Sequence, residues 1–211
     1  MYPELQRTLG AIITDRTDLP ADREARLRSI AKWIGMQLRS DRPAHLVFIC
    51  MHNSRRSQLA QVWAAAAAGF NGLPVKCWTA GTEVTEVAPP VIDALAYTGF
   101  RIDGAGGFED LQGFPRQNEF IVNWDDAIEP VVLYSKSIDD PGNPAGGFAA
   151  IMVCSDADAN CPFVPGADQS FSLPYRDPKE ADGSDQEERT YRQRSEEIAR
   201  EMFKLMEFVQ Q

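Results

Sequence analysis

The stretch Cys50 to Ser57, CMHNSRRS, constrains this chain more than any other part of it. Before it stands His45-Leu46-Val47-Phe48-Ile49, a short run of apolar and β-branched residues. After it come Gln58-Leu59-Ala60-Gln61-Val62-Trp63 and a series of alanines that read as helix. A strand, a tight loop and a helix in that order make an anion-binding unit. N–H groups left unpaired at the helix start, together with the positive end of the helix dipole, converge on the centre of the loop. Met51, His52, Asn53, Ser54, Arg55 and Arg56 are therefore expected to surround an oxyanion, with Cys50 at the mouth.

The spacing C-x5-R-S assigns roles within that loop. A thiol at its start feels the same field as a bound oxyanion, which favours the nucleophilic thiolate. Arg56 is placed to clamp two oxygens of a tetrahedral anion, and the Ser57 hydroxyl to donate to the sulfur. The bland alternative is a buried cysteine ending a core strand beside an ordinary basic first turn. Arg56-Ser57 at this spacing, inside a strand-loop-helix, favours the covalent trap.

The run FICMHNSRRSQLAQVW resembles the active-site loop of the low-molecular-weight tyrosine phosphatase superfamily, and in particular its thioredoxin-coupled arsenate reductase branch. Three further blocks carry the resemblance in order: TAGTEV at Thr79 to Val84 with APPVIDAL behind it, VCSDADANCP at Val153 to Pro162, and Asp177-Pro178 ahead of a C-terminal helix. The order β-α-β-α after Ala44 predicts a parallel sheet with right-handed crossovers and a ligand at the carboxyl ends of its strands. Together these imply a three-layer α/β sandwich with a four-stranded parallel sheet.

In the resembling reductases a thiol at the position of Cys154 attacks the sulfur of the modified nucleophile, and one at the position of Cys161 takes over the disulfide. That relay makes a physical demand. Two turns of continuous helix between them would give a rise of about 10 Å, beyond the roughly 4.4–6.8 Å between Cα atoms that a disulfide allows. Ser155 to Asn160 has no large apolar anchor, so the segment is expected to bend. The alternative is that Cys154 is a buried strand-end residue and Cys161 a loop thiol with no shared task. The Asp-Pro aspartate of the family is the general acid, which implies that role for Asp177. A turn aspartate is the plain alternative, with Asp182 and Asp185 as competitors.

The chain also departs from the family. Arg55 stands where both branches usually carry cysteine, an extra cation expected to raise oxyanion affinity. His52 replaces a usual glycine; if the backbone there needs positive φ, His52 and Asn53 are tolerable. Residues 1–43 are expected to be a helical extension, with helices over Pro3 to Ile13 and Asp22 to Leu38 and with Trp33 as a packing anchor. Residues 44–211 form the expected catalytic domain, with an insertion at about 104–148. Within it, Phe120 to Val122 and Val131 to Tyr134 read as a β-hairpin that either lines the site rim or extends the sheet. Cys77 reads as a structural thiol.

With 31 acidic against 21 basic residues, the net charge of −10 argues against general affinity for nucleic acid or anionic membrane. No long apolar run or signal core is visible, so a cytoplasmic location with reduced cysteines is expected. Cys154 and Cys161 are too far apart for a metal knuckle and histidines number only 2, so no metal or cofactor is expected. The expected substrate is arsenate or a phosphate-like oxyanion, and the expected reductant thioredoxin. A homodimer through the extension or insert is left open. Arsenate reduction is the favoured activity. Its rival is an aryl-phosphate or protein-tyrosine phosphatase using Cys50, Arg56 and Asp177, and an oxyanion-binding protein without turnover is a third reading.

Overall fold

The computed structural model describes residues 1–14, 19–104, 118–154 and 163–211. In chain order the elements are helices α1 (Pro3–Thr14) and α2 (Ala21–Arg39), strand β1 (Ala44–Cys50), helix α3 (Arg56–Phe70), strand β2 (Val75–Gly81) and helix α4 (Pro89–Thr98). Strands β3 (Arg101–Gly104), β4 (Phe120–Asn123), β5 (Val131–Leu133), β6 (Phe148–Met152) and β7 (Ala167–Ser172) follow. A 3₁₀ turn (Pro178–Ala181) and the long helix α5 (Glu187–Val209) complete the chain.

A strand buried on both faces is apolar along its whole length, and β1 with its sequence AHLVFIC takes such a central place. It pairs in parallel with β2 on one side and β6 on the other. β7 joins the far edge, giving the order β2-β1-β6-β7. The chain runs from β1 out to β2 and later returns to β6 on the opposite side. The carboxyl ends of β1 and β6 therefore flank the point where the strand order reverses, the usual crevice for a ligand in an open α/β sheet. Cys50 ends one of these strands and Cys154 lies just past the other. This is the three-layer α/β fold with a four-stranded parallel sheet that the sequence implies.

The alanines of α3 are buried at positions 64, 66, 67 and 68 and let the helix lie close to β1 and β2. Trp63, also buried, donates its indole N–H to Ser195 Oγ on α5 at 2.9 Å, tying the two helices together. Helix α2 buries Leu27, Ile30, Trp33 and Ile34 and packs on α5, β1 and β7, so Trp33 is the packing anchor expected. Helix α1 rests against α4 and α5. Gly99 closes α4 at φ 104°, and a Cβ there would stand 2.6 Å from the Leu5 amide, so glycine is required both for the left-handed cap and for the approach of α1.

The expected hairpin is present but belongs to a larger unit. β4 pairs antiparallel with β5 on one side and with β3 on the other, forming a separate three-stranded sheet. It does not extend the main sheet. β3 escapes the sequence reading because Arg-Ile-Asp-Gly is short and polar and its partner lies far along the chain.

Candidate active site

The loop between β1 and α3 is held open by other parts of the chain. The Met51 carbonyl accepts from the Glu83 amide at 2.8 Å and the Thr82 hydroxyl at 3.2 Å. That of His52 accepts from the hydroxyls of Thr85 at 2.9 Å and Ser135 at 3.1 Å. That of Asn53 accepts from Gln58 Nε2 at 2.7 Å, and that of Ser54 from the Ala88 amide at 3.1 Å. In a planar trans peptide the carbonyl of one residue points opposite to the N–H of the next. Pinning four successive carbonyls outward therefore turns the amides of His52, Asn53, Ser54 and Arg55 inward. Among the described residues none of these four amides donates to a protein acceptor. This is an anion cup made of backbone.

Asn53 locks the cup. It lies in the left-handed region at φ 46° and is fully buried, whereas His52 keeps an ordinary backbone. Its carboxamide oxygen accepts from the Lys136 amide at 2.9 Å, Gln58 Nε2 at 3.2 Å and the Thr79 hydroxyl at 3.3 Å. Its Nδ2 donates to Ser57 Oγ at 2.9 Å, and Ser57 Oγ lies 3.1 Å from Cys50 Sγ. Either partner can donate in that contact, and the hydroxyl has a hydrogen to give whenever the sulfur is ionised. Cys50, at the foot of the cup, is 3 % exposed. Gly81 has its own reason to be glycine: a Cβ would stand 2.8 Å from both the Asn53 amide and the Met51 carbonyl oxygen, so the loop packs directly on the end of β2.

Arg56 is buried at the start of α3. Its Nη2 donates to Asp177 Oδ2 at 2.6 Å and its Nη1 to the Tyr175 carbonyl at 3.2 Å. Its Nε has no partner among the described residues. Asp177 also caps the 3₁₀ turn through Oδ1 and the Lys179 amide at 3.1 Å. The structure thus brings Ser57 to Cys50 and, at the adjacent residue of the chain, Asp177 to Arg56. The competitors of Asp177 sit elsewhere. Asp182 is engaged by Arg55 Nη2 at 3.1 Å and the Tyr191 hydroxyl at 2.7 Å, and Asp185 is exposed.

Arg55 contributes its amide to the cup, but its guanidinium turns aside to donate to Tyr191 at 2.7 Å and to Asp182. Burial alone would lower its pKa. The bond to Tyr191 and the nearby carboxylates of Asp182 and Asp177 outweigh that and raise it, so the charge persists beside the loop. Burial and the bond to Asp182 likewise push Tyr191 up, keeping it a donor. His52 faces Glu83, with Nε2 3.2 Å from Oε2.

Past β6, the Val153 amide donates to the Ile49 carbonyl at 2.9 Å, which carries the β1 pairing register beyond Ile49↔Met152 and sets Val153 beside Cys50. Cys154 is one residue further on the neighbouring strand. With strands about 4.8 Å apart and a rise of about 3.3 Å per residue, its Cα lies on the order of 6 Å from that of Cys50, within disulfide reach. Alternation along a regular strand turns the two side chains to opposite faces, and Cys154 is fully buried. Cys161 and the bend expected between the two thiols lie outside the described residues. Cys77 packs against the core and burial pushes its thiol up, as befits a structural cysteine. Among the described residues no cluster of three or more His, Cys, Asp or Glu side chains could hold a metal, and no helix is long and apolar enough to cross a membrane.

Several of these residues were not legible in the sequence. Thr82 and Thr85 had a signal in the threonine-rich block after β2, but Gln58, Ser135 and Lys136 had none. The segment after β5 does border the site: the Tyr134 carbonyl accepts from Gln58 at 3.0 Å, and the Lys136 carbonyl from the Gly81 amide at 2.9 Å.

No protein-family model matches the chain, and no curated protein matches it in sequence. Solved structures match it in fold. A low-molecular-weight protein tyrosine phosphatase from T. tengcongensis aligns over 78% of this chain and 98% of its own, with 16% identity and a TM-score of 0.51. A YwlE mutant from Bacillus subtilis aligns over 80% of this chain and 99% of its own, with 14% identity and a TM-score of 0.50. An arsenate reductase from Archaeoglobus fulgidus aligns over 77% and 98% at 21% identity, but its TM-score of 0.49 carries no weight. At such identities the likeness establishes architecture and nothing finer.

Proposed function

We propose that this chain, built on the fold of the low-molecular-weight phosphatases, is a cysteine-nucleophile enzyme of that superfamily. Its reaction is the reduction of arsenate to arsenite, with thioredoxin as reductant, in the cytoplasm. The observation that carries the reading is the cup itself: four outward-pinned carbonyls, inward amides, and the Cys50 sulfur at its foot, 3.1 Å from the Ser57 hydroxyl.

The chemistry follows from the parts. Arsenate enters the cup and takes the amide hydrogens and the unpartnered Nε of Arg56, competing with Asp177 for that guanidinium. The Cys50 thiolate attacks arsenic. As the S–As bond forms, an As–O bond breaks, and Asp177 gives the leaving oxygen a proton so that it departs as water. Cys154 as thiolate then attacks the Cys50 sulfur. The S–As bond breaks and its electron pair stays on arsenic, which leaves as arsenite, while the two cysteines are oxidised to a disulfide. Cys161 exchanges into a Cys154–Cys161 bond, releasing Cys50, and thioredoxin reduces that bond. What supports the relay is the short Cα separation the register implies between Cys50 and Cys154; their side chains start on opposite faces, so the Cys154 segment must turn for the sulfurs to meet.

A second reading is a phosphatase, in which water cleaves a cysteinyl-phosphate intermediate. The complete burial of Cys154 favours it, because the relay needs that thiol to move. Arsenate-dependent oxidation of thioredoxin, measured beside hydrolysis of an aryl phosphate, separates the two. Cys50→Ser should abolish both activities, a loss of about 10⁴-fold or more. Cys154→Ser and Cys161→Ser should abolish only thioredoxin oxidation. If both of these variants keep every activity of the wild type, the relay is wrong and the phosphatase reading stands.

A further inference from the structure

A buried charge network outside the cup reaches the same site from the N-terminal helix. Arg23 on α2 donates through Nε and Nη2 to the two carboxylate oxygens of Glu201 on α5, at 2.7 and 2.8 Å, and through Nη1 to the Pro174 carbonyl at 2.8 Å. Glu201 also accepts from the Tyr175 hydroxyl at 2.6 Å, and the Arg23 guanidinium lies 4.4 Å from the centre of the Tyr175 ring. One turn along α2, Arg26 donates to the Ser172 carbonyl at 2.9 Å. Glu201 and Tyr175 are almost wholly buried. Burial, reinforced by the charge of Glu201, holds the Tyr175 phenol protonated, so it is a fixed donor.

The other side of this segment faces the site. The Tyr175 carbonyl accepts from Arg56, and Asp177, two residues on, meets the same guanidinium. The Leu173 and Tyr175 amides tie residues 172–177 to the Met152 and Val153 carbonyls at 2.8 and 3.0 Å, while α2 and α5 clamp the segment from behind and Arg56 grips it in front. A buried ion pair is a poor means of stabilisation, since apolar side chains of equal volume often serve as well or better. What a guanidinium fork offers is direction: it fixes the Glu201 carboxylate plane and a backbone carbonyl at once, while its face covers an aromatic ring.

We infer that Arg23, acting through Glu201, Tyr175 and the Pro174 carbonyl, is a positioning residue that sets where Asp177 stands over the leaving oxygen. The inference rests on the reading of Asp177 as the proton donor. It gives α2, in the N-terminal extension, a task in the reaction that the active-site loop alone does not disclose. A shift of about 1 Å in such a group costs on the order of a hundredfold in rate, so the clamp has a measurable consequence.

The test compares wild type, Arg23→Lys, Asp177→Asn and the double variant on two aryl phosphates. Phenyl phosphate has a leaving group that needs a proton, and 2,4-dinitrophenyl phosphate has one that does not. Lysine keeps the charge opposite Glu201 but loses the fork, and thermal unfolding reports whether the fold is retained. Arg23→Lys is expected to lose about tenfold or more in kcat on phenyl phosphate, with KM unchanged and a much smaller loss on the activated ester. Added to Asp177→Asn, it should cost nothing further. Equal losses on both esters, or losses that multiply in the double variant, overturn the inference. Hydrogen exchange supplies an arm independent of turnover: the amides of Tyr175 and Lys179 should exchange faster in Arg23→Lys, and unchanged protection there overturns the inference whatever the kinetics show. If wild type and Cys50→Ser are equally inactive on both esters and on arsenate, the enzyme reading falls, and exchange alone then decides whether Arg23 places the Asp177 segment.

Discussion

The stretch Cys50–Ser57 and the segment 172–182 meet across one site, at the Arg56–Asp177 ion pair, but they are held in different ways. The first carries its own chemistry in consecutive residues, and its neighbours act mainly on its carbonyls. Gln58, Thr79 and Lys136 converge on Asn53, so the shape of the cup depends on one buried carboxamide. The second presents a single carboxylate to Arg56, and beside two backbone bonds to the Met152 and Val153 carbonyls it is held by Arg23, Arg26 and Glu201 from remote helices. An oxyanion cup must be rigid before substrate arrives, because its amides work only if they need not reorganise. A proton donor needs only the right reach, so its support can come from a distance.

The comparison breaks most visibly at Asn53. Asn53→Ala strands the buried Lys136 amide and puts a Cβ residue without a local hydrogen-bonding group in the left-handed region. A loss of about 2–4 kcal/mol is expected, read from urea unfolding, together with loss of turnover. If the variant is as stable as wild type, the carboxamide is not the lock described. Asp177→Asn should behave in the opposite way. Turnover on a leaving group that needs a proton should fall about a hundredfold, while unfolding moves by less than in Asn53→Ala, since Asp177 is partly exposed and the asparagine oxygen can still accept from the buried Arg56. Comparable damage to stability from both variants would erase the distinction between cup and rim.

The smallest effect sits at the far end of the strand that bears Cys50. Burial, helped by the neighbouring Lys76 ammonium, lowers the His45 pKa. As pH falls below about 6.5 the unfolded chain takes up this proton first, so stability is full above that value and declines until the folded-state pKa is passed. His45→Gln should flatten the change in urea midpoint between about pH 7 and pH 5. An unaltered slope would mean that other groups govern acid stability.

Much of the cup was legible because its signal is local. C-x5-R-S between an apolar run and an alanine-rich run specifies strand, loop and helix, and the helix start supplies the anion field whatever surrounds it. The same holds for the two N-terminal helices, where short-range periodicity decides the outcome. Reading failed where a structural role depends on a partner far along the chain. β3 is a strand only because β4 pairs with it, and Ser135 and Lys136 are ordinary loop residues until the chain folds back onto His52 and Asn53. The charge of Arg55 was evident, but its engagement by Tyr191 and Asp182 was not.

The sequence by itself determined that this chain would present a cysteine at the end of a strand, just ahead of a helix that opens on an arginine, because a few adjacent residues and their backbone dihedrals suffice for that. Which aspartate would face that guanidinium, which carbonyls would be turned away from the cup, and that α2 would grip the Asp177 segment were decided only in three dimensions. Those choices are made by buried hydrogen bonds between residues many positions apart, and their strength depends on the exclusion of water that only the assembled fold provides.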